Sequence, residues 1–420
     1  MPDPKTGDSV KVKTSDKEFE GILMPIPDIL DKDVTVIKLD NGYNIGIDNK
    51  KIKKIELIKG YKKPSHSKKK LKPKKGLPNI TIISAGGTIS SKVDYRTGGV
   101  YADYTAEDFT SMMPELADIA NLKAKKIMSI MSEDMTPKEW RLLAIEIEKE
   151  LDSGADGVVV TQGTDTLHYT SAALSFLLKD LSKPVILTAA QRSIDRGSSD
   201  AFMNLICAVK AAASDIAEVS TCMHGTTNDD YCLLIKGTKA RKMHTSRRDA
   251  FRPINDLPLA KIYEGGKIDV LDKDHKKRSD TKTKADTKFQ EKIALLHVYP
   301  GMDPSLLDNY KDYKGLVIAA TGLGNIPQSL FNKIKEIDMP IVIAPQTIYG
   351  RVHPLVYANL RELSIKLNCI FAEDMTPETA YAKLGYVLGH TSKIEEVKEQ
   401  MQANISGEIT KRSLEKTFLY

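Results

Sequence analysis

The sequence predicts an α/β protein built from two unequal strand-and-helix units with mainly parallel sheets, preceded by a small all-β module. Three observations carry this. From Asn79 onward, short apolar runs alternate with helical patterns, as expected for strands covered on both faces by helices. The run Gly157-Val-Val-Val-Thr161 stops abruptly at Gln162-Gly-Thr-Asp-Thr166, and a helical pattern starts at Leu167, which reads as strand, tight turn, helix. Before residue 60 the apolar period is two, and Asn41-Gly42 separates two β-patterned runs, the strongest short hairpin signal.

At 420 residues the chain exceeds one ordinary core. The expected division is a small SH3-like or OB-like β-barrel over residues 1–58, a basic linker over 59–78, a larger α/β domain over 79–271, a charged connector over 272–292, and a smaller α/β domain with a helical tail over 293–420. A hydrophobic fraction of 41% and a charged fraction of 28% are those of a soluble globular protein. No apolar run approaches the roughly 20 residues that cross a bilayer, so no membrane partner is expected. Met1-Pro-Asp-Pro-Lys5 lacks the apolar core of a secretory signal, so a cytoplasmic location is expected. Four scattered cysteines imply free thiols rather than a disulfide framework.

In chain order, strands are expected at 9–13, 34–39 and 43–47. The lysine-rich stretch with prolines and serines, Gly60 to Pro78, cannot bury enough apolar surface to fold and reads as a linker. Its charge would favour a nucleic acid through counterion release, but a solvated linker is the better reading. Strands follow at 80–83, 157–160, 185–187, around Val219 and at 233–235, with helices at 138–151, 169–178 and 200–214. Residues 272–288 are charged and read as a flexible connection. Strands at 293–298, 315–320 and 340–344 begin the second unit.

Ligands of open α/β sheets sit beyond the carboxyl ends of the strands, which makes Thr164 and Asp165 the first candidates for chemistry. The strand at 80–83 ends in Ala85-Gly86-Gly87-Thr88, whose glycines let the backbone turn sharply and present the Thr88 hydroxyl at the same edge. No Gly-Lys-Ser/Thr follows, which excludes a Walker A loop. Threonine is a poor nucleophile at neutral pH and needs a base. A desolvated lysine held by an acid supplies one; Asp165 offers the acid, and Lys239-Ala-Arg-Lys-Met-His-Thr-Ser246 offers lysines. Tyr95, in a Gly-rich loop, can bring a phenol over the site when the loop closes. Thr321-Gly-Leu-Gly-Asn-Ile-Pro327 carries proline where a dinucleotide loop needs a small residue, so it reads as a turn. Cys222-Met-His224 with Cys232 lacks a paired Cys-x-x-Cys and is not read as a zinc site. His168, His244 and His353 have no evident acid partner in sequence and read as structural.

Taken together, Thr81-Ile-Ile-Ser-Ala-Gly-Gly-Thr-Ile-Ser90, Ile130-Met-Ser-Glu-Asp-Met135, Gly157-Val-Val-Val-Thr-Gln-Gly-Thr-Asp-Thr166 and Val185-Ile-Leu-Thr-Ala-Ala-Gln-Arg192 resemble, in order and spacing, the bacterial-type L-asparaginases. The resemblance covers most of residues 79–390. It implies an asparaginase-like two-domain core with the active site in the larger domain. It also implies Thr88 as primary nucleophile, Tyr95 as its activating partner, and Thr164, Asp165 and Lys242 as a second catalytic set. Ser132 and Glu133 would contact the substrate's α-carboxylate and α-amino group, which Asp165 would also hold. Ser132-Glu-Asp departs from the Ser-Gln-Asp of many asparaginases.

The N-terminal module, with Gly21-Ile-Leu-Met-Pro25 and Lys38-Leu-Asp-Asn-Gly-Tyr-Asn-Ile-Gly-Ile47, and the segment Ala372-Glu-Asp-Met-Thr-Pro-Glu-Thr-Ala380 are similar to the D subunits of archaeal glutamyl-tRNA(Gln) amidotransferases. That resemblance implies hydrolysis of glutamine or asparagine and delivery of ammonia to an E subunit, which amidates Glu-tRNA(Gln). ATP and Mg2+ would belong to that partner, with no cofactor or metal in this chain. A homodimer within a two-by-two heterotetramer would follow. The alternatives are a free-standing L-asparaginase and a non-catalytic subunit that docks RNA or a partner.

Overall fold

The computed structural model describes residues 3–25, 33–61, 73–87, 89, 91–93, 100–102, 109–110, 113–194 and 196–420. Its first module is a five-stranded antiparallel sheet: Ser9–Thr14, Glu18–Leu23, Val34–Lys38, Asn44–Asp48 and Ile52–Lys59. The fifth strand returns to pair with the first, so Asn44–Asp48 and Ile52–Lys59 are the two outer strands. No ladder joins these two among the described residues. Val10, Val12, Ile37 and Ile47 fill its small core from alternate positions, as a half-buried sheet requires. The fifth strand ends at Lys59, where the linker was expected to begin; residues 62–72 lie outside the described residues.

The larger unit is an eight-stranded sheet. Its order is Ile268–Val270, Ala260–Ile262, Cys232–Lys236, Val219–His224, Val185–Thr188, Gly157–Thr161, Asn79–Ser84 and Asn121–Lys126. The last five strands run parallel and the first three are added antiparallel, so the sheet is mixed. The central strand Gly157–Thr161 is buried at every position, because helices cover both its faces. Helix Pro137–Asp152 starts on a Thr136–Glu139 capping box with Pro137 in its first turn, and helices Leu167–Leu177 and Ala201–Ala213 follow their strands.

The second unit is a four-stranded parallel sheet, Ile293–His297, Gly315–Ala320, Ile341–Pro345 and Ile370–Phe371, in that order. Its helix Pro377–Leu388 packs on helix Leu167–Leu177, and the two units share one apolar core. Trp140 stands edge-on to Phe289 and Tyr381, with ring centroids 5.7 and 6.5 Å apart, and Phe176 stacks on Tyr386 at 6.0 Å. Helix Ile394–Gln402 lies where the tail was expected.

The charged connector is laid against the larger unit rather than hanging free. Arg278 donates to the carbonyls of Asp156, Ser214 and Ala212 at 2.5–2.8 Å, and Lys284–Ala285 pairs with Leu178–Lys179. Its charges hid this in the sequence, because the bonds go to backbone carbonyls that no side-chain pattern reveals. No helix among the described residues is long and apolar enough to cross a membrane.

Candidate active site

Three turns meet at the carboxyl edge of the parallel strands. Gly86 and Gly87 have φ of +115° and +84°, and a Cβ on Gly87 would lie 2.5 Å from the carbonyl carbon of Gln162 and the nitrogen of Gly163. A Cβ on Gly86 would lie 2.5 Å from the Ile130 carbonyl oxygen. Only glycine allows both the left-handed backbone and this approach. The turn leading to Thr88 is therefore pressed against the turn bearing Thr164 and the segment bearing Ser132. Thr88 and Tyr95 themselves lie outside the described residues.

The second turn is tied to the third. Thr166 Oγ1 donates to the Ser132 carbonyl at 2.6 Å and accepts from Gln162 Nε2 at 3.3 Å. Ser132 is buried, whereas Glu133 is exposed, and their side chains approach at 3.4 Å. Ser132, Thr164 and Asp165 thus share one mouth.

Lys242 comes from a hairpin, Ala240–Lys242 against Phe251–Pro253, that leaves the eight-stranded sheet after Lys236. Its Nζ donates to Thr164 Oγ1 at 2.8 Å and to Asp165 Oδ1 at 2.6 Å. The lysine side chain is only 9% exposed, whereas Asp165 is 66% exposed and open to an incoming molecule. An acid that orients a nearly buried amine beside a hydroxyl is the arrangement in which threonine or water can lose a proton.

A further layer lies behind these residues. His168, buried on the first turn of helix Leu167–Leu177, has its Nε2 3.9 Å from Glu378 Oε1, and Arg241 Nη2 lies 3.2 Å from the same oxygen. Burial pushes the His168 imidazole down to about 4, against the opposing pull of Glu378. The acid near His168 was invisible in the sequence because Glu378 lies 210 residues away. Two residues before Arg241, Lys239 is held by Asp374 at 2.8 Å, both essentially without exposure. Burial lowers the Lys239 ammonium below its ordinary range, and Asp374 opposes the shift. The signal for this layer was present in Ala372-Glu-Asp-Met-Thr-Pro-Glu-Thr-Ala380, where Asp374 and Glu378 bracket a helix start, but it reads in the sequence as likeness rather than as contacts.

The other two histidines singled out in the sequence make local contacts. His244 Nδ1 accepts from the backbone amides of Ser246 and Arg247, and His353 Nδ1 from that of Leu355. His224 lies between Asn204, 2.6 Å from Nδ1, and Asp229, 2.9 Å from Nε2. Thr321-Gly-Leu-Gly-Asn325 closes on itself through a Thr321–Asn325 bridge.

Family models match the chain at residues 79–276 (asparaginase, N-terminal), 292–401 (glutaminase/asparaginase C-terminal domain) and 5–58 (GatD N-terminal domain). The glutamyl-tRNA(Gln) amidotransferase D subunit of Pyrococcus furiosus is 53% identical over 98% of this chain and 95% of its own length. That of Methanosphaera stadtmanae is 46% identical over 96% and 93%. Among solved structures, the thermostable L-asparaginase from Thermococcus kodakarensis superposes with a TM-score of 0.72 at 29% identity, covering 80% of this chain and all of that one. L-asparaginase I from Vibrio cholerae gives 0.69 at 29% identity, over 80% and 99%.

Proposed function

The chain belongs to the family of glutamyl-tRNA(Gln) amidotransferase D subunits, and from that premise we propose that Thr88, Thr164, Asp165 and Lys242 form its amide-hydrolysing machinery. The protein is the amidohydrolase subunit of a tRNA-dependent amidotransferase, of glutaminase/asparaginase type. The observation that carries the assignment of residues is the contact of Lys242 Nζ with both Thr164 and Asp165.

In this reading the Thr88 hydroxyl adds to the side-chain carboxamide of glutamine or asparagine, helped by Tyr95. Backbone amides at the strand ends hold the oxyanion. The carbon–nitrogen bond breaks, the hydroxyl proton leaves on ammonia, and an ester to Thr88 remains. Lys242, oriented by Asp165 and working with Thr164, takes a proton from water as it attacks that ester. Lys242 returns that proton to the departing Thr88 oxygen, and glutamate or aspartate and the free threonine result. Ser132 and Glu133 hold the substrate's α-carboxylate and α-amino group, with Asp165 sharing the latter.

The ammonia passes to an E subunit that activates Glu-tRNA(Gln) with ATP and Mg2+, so this chain needs no cofactor of its own. The chain pairs with a second copy in a two-by-two heterotetramer in the cytoplasm. Leu355, Val356 and Tyr357, each about half exposed, supply an apolar surface suited to such contacts. The N-terminal sheet is taken as an SH3-like barrel, since a four-strand meander, a 3₁₀ turn at Asn49–Lys51 and a fifth strand on the first follow that plan. The units run over 1–58, 59–78, 79–271, 272–292 and 293–420.

The deciding assay is ammonia release from glutamine and from asparagine, by the full chain alone and with the E subunit and Glu-tRNA(Gln). Stimulation by both partners together is the expected result. Full activity that ignores them marks a free-standing asparaginase, and no activity under any condition marks a docking role.

A further inference from the structure

The segment that presents Lys242 is gripped at Thr238, Lys239 and Arg241 by the other α/β unit. Thr379 Oγ1 donates to the Thr238 carbonyl at 2.8 Å, Asp374 accepts from Lys239 at 2.8 Å, and Glu378 lies 3.2 Å from Arg241. All three partners come from six residues, 374–379, at the start of helix Pro377–Leu388, which is anchored by its Thr376 cap. Two of these contacts are ordinary fastenings. The third is not.

Glu378 Oε1 faces Arg241, the neighbour of Lys242, and also His168, three residues beyond Asp165. One carboxylate therefore stands behind both segments that carry the Lys242–Asp165 contact. Yet the site is poorly satisfied: Glu378 Oε2 and His168 Nδ1 are buried and have no hydrogen-bond partner among the described residues. A buried carboxylate oxygen left unpaired costs stability, and an apolar side chain of similar shape would avoid that cost. Rule-breaking of this kind collects at functional sites.

We propose that Glu378 is a positioning residue for Lys242: by holding Arg241 from the smaller unit and facing His168, it sets the hairpin strand so that Lys242 Nζ reaches Thr164 and Asp165 together. The smaller unit thereby contributes to a reaction whose proposed catalytic groups all lie in the larger one. A displacement of about 1 Å at a reacting group is enough to cost up to roughly a hundredfold in rate. The inference rests on the reading of Lys242 as part of the hydrolytic site.

The test measures ammonia release at saturating glutamine and asparagine by the full chain with its E subunit, together with melting temperature. Glu378→Ala is expected to lower kcat by roughly tenfold to a hundredfold, with KM changed less than about twofold and folding retained. Glu378→Gln, which keeps the shape and one acceptor for Arg241, is expected to recover most of kcat. Arg241→Ala should match Glu378→Ala, and the double variant should lose no more than either single one. A merely structural role would change the melting temperature and the folded yield while leaving kcat per folded enzyme intact, and that result overturns the proposal. Should Glu378→Ala not fold, Arg241→Ala decides in the same way: lowered kcat supports the proposal and unchanged kcat overturns it. Lys242→Ala runs beside them: if it keeps normal turnover, the reading of the site fails; if it is inactive while Glu378→Ala and Arg241→Ala are normal, only the positioning role fails.

Discussion

Two lysine–aspartate pairs lie three residues apart on one stretch of chain, and their surroundings make them opposites. Lys239 meets Asp374 at 2.8 Å where neither side chain has more than 1% exposure. Lys242 meets Asp165 at 2.6 Å, but the aspartate is 66% exposed and the lysine also touches a threonine hydroxyl. The same two functional groups at nearly the same separation thus serve as a rivet in one place and as an accessible pair in the other. Distance does not distinguish them; water does. A buried pair costs so much to break that it fixes two units of the fold together, whereas a pair open to water on its aspartate side contributes less stability and is free to exchange partners.

The largest expected effect tests the accessible pair. Lys242→Ala should reduce ammonia release by about 10²- to 10⁴-fold while changing unfolding free energy by no more than about 1 kcal/mol. Steady-state assays beside urea denaturation read both quantities, and a protein that loses stability but keeps turnover would make Lys242 a second rivet. The rivet itself is tested next. Asp374→Ala should destabilise the fold by about 3–5 kcal/mol, since Lys239 is left buried and unpaired, and Lys239→Met with Asp374→Leu should recover most of that loss. If the single variant unfolds no more easily than the parent, the contrast between the pairs disappears.

An intermediate effect comes from His168, which sits between the two environments. Unfolded, its ring takes a proton near 6.5; folded, burial holds it at about 4. The unfolded chain therefore binds the extra proton first, so this stabilisation is complete above pH 6.5 and is lost as pH falls toward 4. About 2 kcal/mol should go between pH 7.5 and 5, and His168→Gln should remove that part of the acid sensitivity in urea midpoints taken across the range. The smallest change gives the floor for an exposed contact. Tyr43→Phe removes the Tyr43–Ser198 hydroxyl contact at 3.0 Å and should cost about 1 kcal/mol or less by the same measurement.

Much of this architecture was readable in the residues. The buried strand at Gly157–Thr161 shows as an unbroken apolar run, and the Asn41-Gly42 hairpin shows because Asn-Gly suits a tight turn, in which Gly42 takes a φ of +84°. The convergence of Thr164 and Asp165 with a lysine follows from what a threonine needs, although the choice of Lys242 among three basic residues came from family likeness. What stayed hidden is what depends on distant partners. The antiparallel edge strands are too short, at three residues, to announce a direction. Arg278 bonds to backbone carbonyls, and Glu378 meets His168 and Arg241 across more than 130 residues of chain.

The contact between the N-terminal sheet and the larger unit has a consequence for how this chain can vary. A Cβ on Gly42 would lie 2.5 Å from the Gly197 nitrogen, and one on Gly197 would lie 2.7 Å from the Asn41 carbonyl oxygen. At Gly42 every close atom is backbone, and at Gly197 the Tyr43 ring, 2.6 Å from that Cβ, adds to the backbone contact. The two glycines therefore form a single inherited character written at two places 155 residues apart. A hydrolase core whose loop carries any larger residue at the second place cannot accept this module in this seating, and drift at either glycine alone would be paid for by the other partner's displacement.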